Sequence, residues 1–544
     1  MKFFGFGKLL GGILLVVGLG GCDWGPGPET AVLPTVAATV EVEGLKAAPS
    51  PVIATAALPA VVPATNTPLV PTATLVPTLE PTATPRLMVL VYYPSEMPLP
   101  WQEAVGVVIG RLQATDLTWD WQLTADPAAA HVTFQVGTEG IPVFQHPIAL
   151  TVPFTTDWEE TSSGQAAEII QDGHPLVTVT TWEAMPRTFK ALRIDGLRPN
   201  DPAYHLQQPW SLMAEPGFEA ATGQLAAELH SSPPPDSAVH LTAVGDIMLD
   251  RSLGGAIAGG NLAYPFEDVV HMLNTADITV GNLESSLGDI GEPAPKSYTF
   301  RAPPGAAESL ALAGFDVVSL ANNHGMDYGS EVLLQGIDLL RQAGVIPIGA
   351  GANTAEAHTP HFAEVNGLRL AFLGYVHVPV EGLTAFDVET WDATESSPGL
   401  AWAYPERITA DVTAAREQAD LVIVVLHSGF EYVEAPSAPQ IAASYAAIDA
   451  GAALVIGHHA HILQGIEFYK EGVIVYGLGN FAFEIDGDPS TAILNVWLDR
   501  EGVHQLELIP AVIQFGGQPR IAEPYEVRPI LQRVYFLTQL LNAE

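Results

Sequence analysis

Between Val239 and Tyr476 short apolar runs alternate with stretches of helical spacing, a rhythm that restricts this region to βαβ units around a largely buried sheet. The runs Val239–Val244, Ile278–Val280, Val317–Leu320, Leu368–Leu373, Leu421–Leu426, Ala453–Ile456 and Val473–Tyr476 read as strands. Helical patterns fall at Phe266–Thr275, Gly305–Ala313, Ser330–Ala343, Ala403–Gln418 and Pro439–Ala450, with Ser330 expected to cap its own helix. Residues 486–544 are expected to complete this domain, the tail Gln505–Glu544 supplying two strands and a closing amphipathic helix, Ile530–Leu541.

Five polar segments punctuate the region: Gly245-Asp246-Ile247-Met248, Gly281-Asn282-Leu283-Glu284, Asn322-Asn323-His324, His427-Ser428-Gly429 and Gly457-His458-His459-Ala460-His461. Four directly follow an apolar run and the second follows a shorter one. The carboxyl ends of strands are where an α/β fold places its chemistry. Two carboxylates, an amide and a cluster of histidines make a hydrolytic metal-site inventory. Alone, Asp246 reads as a turn or cap residue; the other four segments make it a ligand candidate. Glu284 offers a hard oxygen suited to Mn, Mg or Zn, and only Lys296 and Arg301 are near enough in sequence to pair with it instead. Asn282 reads equally as a ligand or a turn residue. In the third segment one asparagine can lend its carbonyl oxygen to a metal while the other fixes the loop. His324 can protonate a leaving oxygen, with Asp327 orienting its imidazole; a polar turn capping the next helix is the plainer alternative. His427 is a ligand or a packed side chain. Three histidines in four residues, His458, His459 and His461, point to metal binding. Asn322 and Arg301 are candidates for holding substrate, Arg301 equally for a surface ion pair. The chemistry expected is in-line attack by a metal-activated water on a phosphorus ester or similar electrophile.

In this order, and with Tyr476-Gly477-Leu478-Gly479-Asn480-Phe481 as a sixth element, the segments resemble the CapA-type poly-gamma-glutamate capsule-biosynthesis family of the calcineurin-like metallophosphoesterase superfamily. The resemblance covers residues 239–485. It implies a four-layer αββα sandwich with a dinuclear Mn, Fe or Zn site at the sheet edges. It carries Asp246, Glu284, Asn323, His427 and the Gly457–His461 histidines over as metal ligands, and His324 as the leaving-group acid. The sequence departs from the superfamily at Met248, which stands where a ligand histidine is usual; a thioether is a poor ligand for hard metals. Glu284 replaces the usual aspartates. The last motif carries an extra residue, which leaves His458 and His459 both open. These departures favour the family while weakening ordinary phosphatase activity. The expected function is therefore a metal-dependent hydrolase, or a factor in the synthesis or export of an anionic polymer. The alternatives are a non-catalytic polymer-binding assembly factor and a solute-binding lipoprotein.

The remainder of the chain bears on location. Residues 1–22 combine a basic start, the apolar run Leu9–Leu19 and Leu19-Gly20-Gly21-Cys22, which resembles a bacterial lipoprotein signal ending at the lipidated cysteine. Cys22 is the chain's single cysteine, so no internal disulfide exists. Residues 23–86, rich in proline and threonine, read as a disordered stalk. Residues 87–230 read as a smaller α/β domain, with strands Leu87–Tyr93, His131–Val136 and Ile148–Pro153, helices Trp101–Leu112 and Gly217–Leu229, and an irregular Asp201–Trp210. It resembles weakly a lobe of periplasmic solute-binding proteins of the phosphate-binding sort. A proline hinge, Ser231–Asp236, follows. Acidic residues outnumber basic ones 61 to 21, a formal charge of −40, which disfavours nucleic acid and anionic lipid as partners. The chain is thus expected to be extracytoplasmic, anchored to the membrane through Cys22, and a partner of capsule or anionic-polymer synthesis machinery.

Overall fold

A computed structural model describes residues 86–233, 238–484 and 487–542. The expected signal segment with Cys22, nearly all of the expected stalk and part of the expected proline hinge lie outside the described residues. Two sheets carry the second half of the chain. The first runs Ile346–Ile348, Val317–Ser319, Ile278–Leu283, Val239–Ile247, Ser490–Asp499, Gly502–Ile513, Pro519–Ile521. The second runs His361–Val365, Leu368–His377, Leu421–Ser428, Leu454–His458, Gly472–Val475, Ile466–Tyr469. In each sheet the strands that carry the polar segments are parallel neighbours, so their carboxyl ends share one edge.

The apolar runs are continuous because both faces of these strands are buried. Along Leu421–Ser428, Leu421, Ile423 and Val425 join the core shared by both sheets, while Val422, Val424 and Leu426 face an outer core. The shared core also takes Leu241 and Ala243 from the first sheet and Ile530, Leu531 and Val534 from the C-terminal helix Pro524–Leu541. Outside the first sheet pack the helices Arg251–Ala258, Ala306–Ala313 and Ser330–Ala343. Outside the second pack Pro405–Arg416 and Ala438–Asp449.

Several elements differ from expectation. The helix expected over Phe266–Thr275 is a 3₁₀ turn, Tyr264–Phe266, and one helical turn, Val270–Leu273. Ser330 is the first residue of its helix; Gly329 occupies the cap position and no side chain caps it. The strand Ser490–Asp499, unforeseen, pairs antiparallel with Val239–Ile247 at the sheet's centre.

The N-terminal part forms its own sheet, ordered Trp119–Leu123, Leu87–Tyr92, Val132–Val136, Gln207–Ala214, Ile141–Pro153, Thr178–Thr181, with Phe189–Ala191 also on Ile141–Pro153. Helices Leu99–Thr115 and Glu219–Ser231 cover it. The stretch Asp201–Trp210, expected to be irregular, runs into the strand Gln207–Ala214, whose partners on both sides lie far off in sequence. Contacts to the larger sheets are close: Trp497 packs with Ala149, Trp182, Met185 and Ala191, and buried Glu507 receives Arg198 at 2.8 Å and Arg193 at 3.6 Å. Among the described residues no helix is long and apolar enough to cross a membrane.

Candidate metal centre

Strand register builds the site. Asp246 pairs with Asn282, and Asn282 with Ser319, in the first sheet; His427 pairs with His458 in the second. A bulge between Ala243 and Asp246 turns the end of that strand. Its Gly245 is required by contact, since a Cβ there would lie 2.1 Å from Gly479 O; Gly457 faces Tyr476 O at the same distance. Both glycines therefore let a neighbouring strand close in beside a ligand-bearing residue.

Amides then lock the orientations. Asn322 Nδ2 donates to Asn282 Oδ1 at 3.0 Å and to Leu283 O at 2.8 Å, and its Oδ1 accepts from His324 N at 3.0 Å. Asn282 Nδ2 in turn donates to Asp246 Oδ1 at 2.9 Å and approaches His427 Nδ1 at 3.1 Å. With Nδ1 of His427 as acceptor, its Nε2 carries the hydrogen. That nitrogen faces Asn323 Oδ1 at 2.6 Å, His459 Nδ1 at 3.1 Å and Glu284 Oε1 at 3.6 Å. One hydrogen cannot serve three acceptor-type atoms.

Glu284 is the clearest anomaly. It is fully buried, and neither carboxylate oxygen has a hydrogen-bond partner. Burial, and then the neighbouring Asp246 carboxylate, raise its pKa well above the ordinary range. Burial pushes Asp246 the same way, but the surrounding imidazoles, His458 first and then His427 and His461, outweigh it and hold the aspartate low. Burial lowers His427 well below its usual value and His459 to about 3, so both imidazoles are neutral and able to act as ligands. Two sets of ligand-type atoms converge within 4.8 Å: Glu284, His459 and His461; and Asp246, Glu284 and His427. His458 Nδ1 stands 2.9 Å from Asp246 Oδ1, outside hydrogen-bond geometry, and its Nε2 is unpartnered. His461 Nδ1 is held by Asn480 Oδ1 at 2.7 Å. His459 and His461 both adopt positive φ, 84° and 56°, a strain of about 1–3 kcal/mol each that a surrounding structure must impose. Unpaired buried carboxylate oxygens, neutral imidazoles and an amide oxygen fit a divalent cation.

Beside this set, His324 Nδ1 binds Asp327 Oδ2 at 2.6 Å. Asp327 also accepts from Phe300 N and pairs with Lys296 Nζ at 2.8 Å. Lys296, with a fully buried side chain, also donates to Asn323 O and lies over the Trp391 ring. It therefore braces the loop that carries Asn323 and His324 instead of pairing with Glu284. Sequence reasoning missed this role, because the bracing needs a contact across 27 and 31 residues.

Residues 240–485 match the family described as bacterial capsule synthesis protein PGA_cap. The capsule biosynthesis protein CapA of Bacillus anthracis is 33% identical over 287 residues, covering 51% of this chain and 68% of that protein. The PGA biosynthesis protein CapA of Bacillus subtilis (strain 168) is 29% identical over 280 residues, covering 51% and 72%. A probable polyglutamine synthesis accessory protein of Mycobacterium tuberculosis is 30% identical over 235 residues, covering 41% and 60%. The chain belongs to the PGA_cap family.

In this PGA_cap chain Met248 lies in an apolar cluster with Phe300 and Phe483, and its sulfur faces Asp250 N at 3.3 Å. Those two rings border His324 and His461, so Met248 backs the wall of the site. Asn322 has its amide taken up by the strand Ile278–Leu283 and by His324 N. The Arg301 guanidinium donates to Ile290 O and lies over Tyr328.

Proposed function

We propose that the chain acts in the biosynthesis of an anionic capsule polymer of the poly-gamma-glutamate kind, through a metal-dependent, metallophosphoesterase-like hydrolytic centre. The observation that carries this reading is Glu284, a buried carboxylate with two unpartnered oxygens set among neutral imidazoles. The two sheets with helices outside each are read as the four-layer αββα sandwich of that superfamily. The two convergent atom sets are read as a dinuclear site sharing Glu284, with Asp246 and His427 on one side and His459 and His461 on the other. A bound divalent cation would supply Lewis acidity toward a phosphoryl oxygen. Asn323 Oδ1 and His427 Nε2, 2.6 Å apart, would both be offered to the cation, and Asp327 accepts from His324 Nδ1, so that Nε2 is the nitrogen that would carry a proton taken from solvent to the leaving oxygen. The Asn322–Asn282 amide chain keeps Asp246 and His427 in register without reorganisation. The anchoring through Cys22, the stalk and the extracytoplasmic location belong to the same reading, as does the docking of residues 87–230 as a smaller solute-binding-like domain.

Met248 supports a second reading, a non-catalytic polymer-binding assembly factor, because the position of a usual ligand is given over to apolar packing. Elemental analysis of the purified chain beside an Asp246→Ala/His461→Ala variant, followed by turnover assays on generic phosphomonoesters and phosphodiesters with Mn, separates the two. Two metals per chain with turnover lost in His427→Ala supports the hydrolase. Metal without turnover on any ester supports the assembly factor. No metal after reloading removes the hydrolase and leaves the assembly factor.

A further inference from the structure

Away from the metal centre, a cavity of about 650 Å³ opens between the N-terminal sheet and the turn that joins Ser490–Asp499 to Gly502–Ile513. Its size falls within the range of small-molecule sites. Six carboxylates line it: Glu96, Glu103, Glu183, Asp201, Asp499 and Glu501. Arg500, the one basic residue beside them, is turned to Asp420 at 3.6 Å and to Gly367 O. Trp101 and Trp182 supply apolar wall.

We propose that this cavity binds a small organic cation of the amine or polyamine class. The acidic lining is one observation. Independent of it, His146 lines the cavity with 3% of its surface exposed, and its Nδ1 has no partner. The other ring nitrogen meets Glu183. A hydrogen on that nitrogen leaves Nδ1 as a bare acceptor, and burial lowers the histidine's pKa to about 4, which keeps the ring neutral. Asn200 Oδ1, also on the wall, is a second buried acceptor without a partner. Every unsatisfied group on this wall therefore asks for a donor, and an ammonium carries donors only. The indoles add a surface that an alkylammonium stem can cover and an ammonium can approach. The same lining repels phosphate, so the oxyanion expected from the solute-binding resemblance is the wrong ligand chemistry for this cavity.

The test is isothermal titration calorimetry of the full chain with spermidine at physiological salt, with magnesium chloride and inorganic phosphate titrated in parallel. One saturable spermidine site per chain is expected, and any magnesium or phosphate binding, as at the metal centre, should be unaltered by Glu103→Gln and Glu183→Gln. Glu103→Gln and Glu183→Gln, both exposed and so compatible with folding, should each weaken the spermidine site by roughly fivefold. His427→Ala, at the metal centre, should leave it unchanged. The absence of saturable spermidine binding overturns the proposal. So does spermidine heat that magnesium reproduces and neither glutamate variant alters, since that is attraction to the chain's overall charge. Saturable phosphate binding at this cavity overturns it as well.

Discussion

Glu284→Gln tests the centre by a change of sign. The carboxylate is buried with both oxygens unpartnered and its pKa is pushed up by burial and by Asp246. In the metal-free chain the carboxylate is therefore a liability, since it carries either an unpaired buried charge or a proton taken up to avoid one. An amide of the same shape removes the charge, offers a donor toward His461 Nε2 and keeps an acceptor toward His427 Nε2, which stand 3.8 and 3.6 Å from Glu284 Oε1. The gain expected is about 1–3 kcal/mol, the usual size of a buried polar group's unmet requirement. For a unit the length of Ala83–Glu544, 1 kcal/mol is about 1 °C in melting temperature. Thermal unfolding in EDTA should thus place the variant about 1–3 °C above the parent chain. With Mn at about a thousand times its Kd the parent should gain roughly 4 kcal/mol, and the variant little of it. The order of the two melting temperatures then reverses. A variant that melts lower in EDTA would refute the account of Glu284 as an uncompensated charge. A variant that keeps the full Mn shift would refute its place among the ligands.

Metal affinity should rise with pH. The raised pKa of Glu284 means the metal-free site holds a proton that the cation must displace, whereas His427 and His459, lowered by burial, are already neutral. Chelator competition should show affinity increasing about tenfold per pH unit until Glu284 ionises in the free chain, and no such slope in Glu284→Gln. Lys296→Met should cost about 3–5 kcal/mol in denaturant melts, because Asp327 is left as a buried unpaired charge; Lys296→Arg should recover part of it. Gly457→Ala should give little folded protein, since its Cβ would meet Tyr476 O at 2.1 Å; a parent-like melt would contradict that close approach. Arg198→Ala should destabilise the chain by about 3 kcal/mol or more in the same melts by leaving buried Glu507 short of its nearest cation.

The strands of the two larger sheets were legible because burial on both faces leaves uninterrupted apolar runs, as in Leu421–Leu426, and the ligand-type residues follow those runs directly. The Gly217–Leu229 and Pro439–Ala450 helices were read within two residues of their bounds, Glu219–Ser231 and Ala438–Asp449. Phe266–Thr275 misled because an apolar face persists across two short turns that tertiary packing holds apart. Ser490–Asp499 was missed because its place at the centre of a sheet depends on pairing with Val239–Ile247, some 250 residues earlier in the chain.

The sequence by itself determined which side chains can bind metal and that they stand at strand ends, because residue type and hydrophobic period are local properties. Only the tertiary structure decided how they meet. Glu284 lies bare of partners, His458 turns to Asp246 while His459 and His461 converge on Glu284, and Lys296 braces Asp327 instead of neutralising Glu284. Each of those outcomes rests on strand register and on the desolvation of charges by residues distant in sequence, and neither is written in any local stretch of the chain.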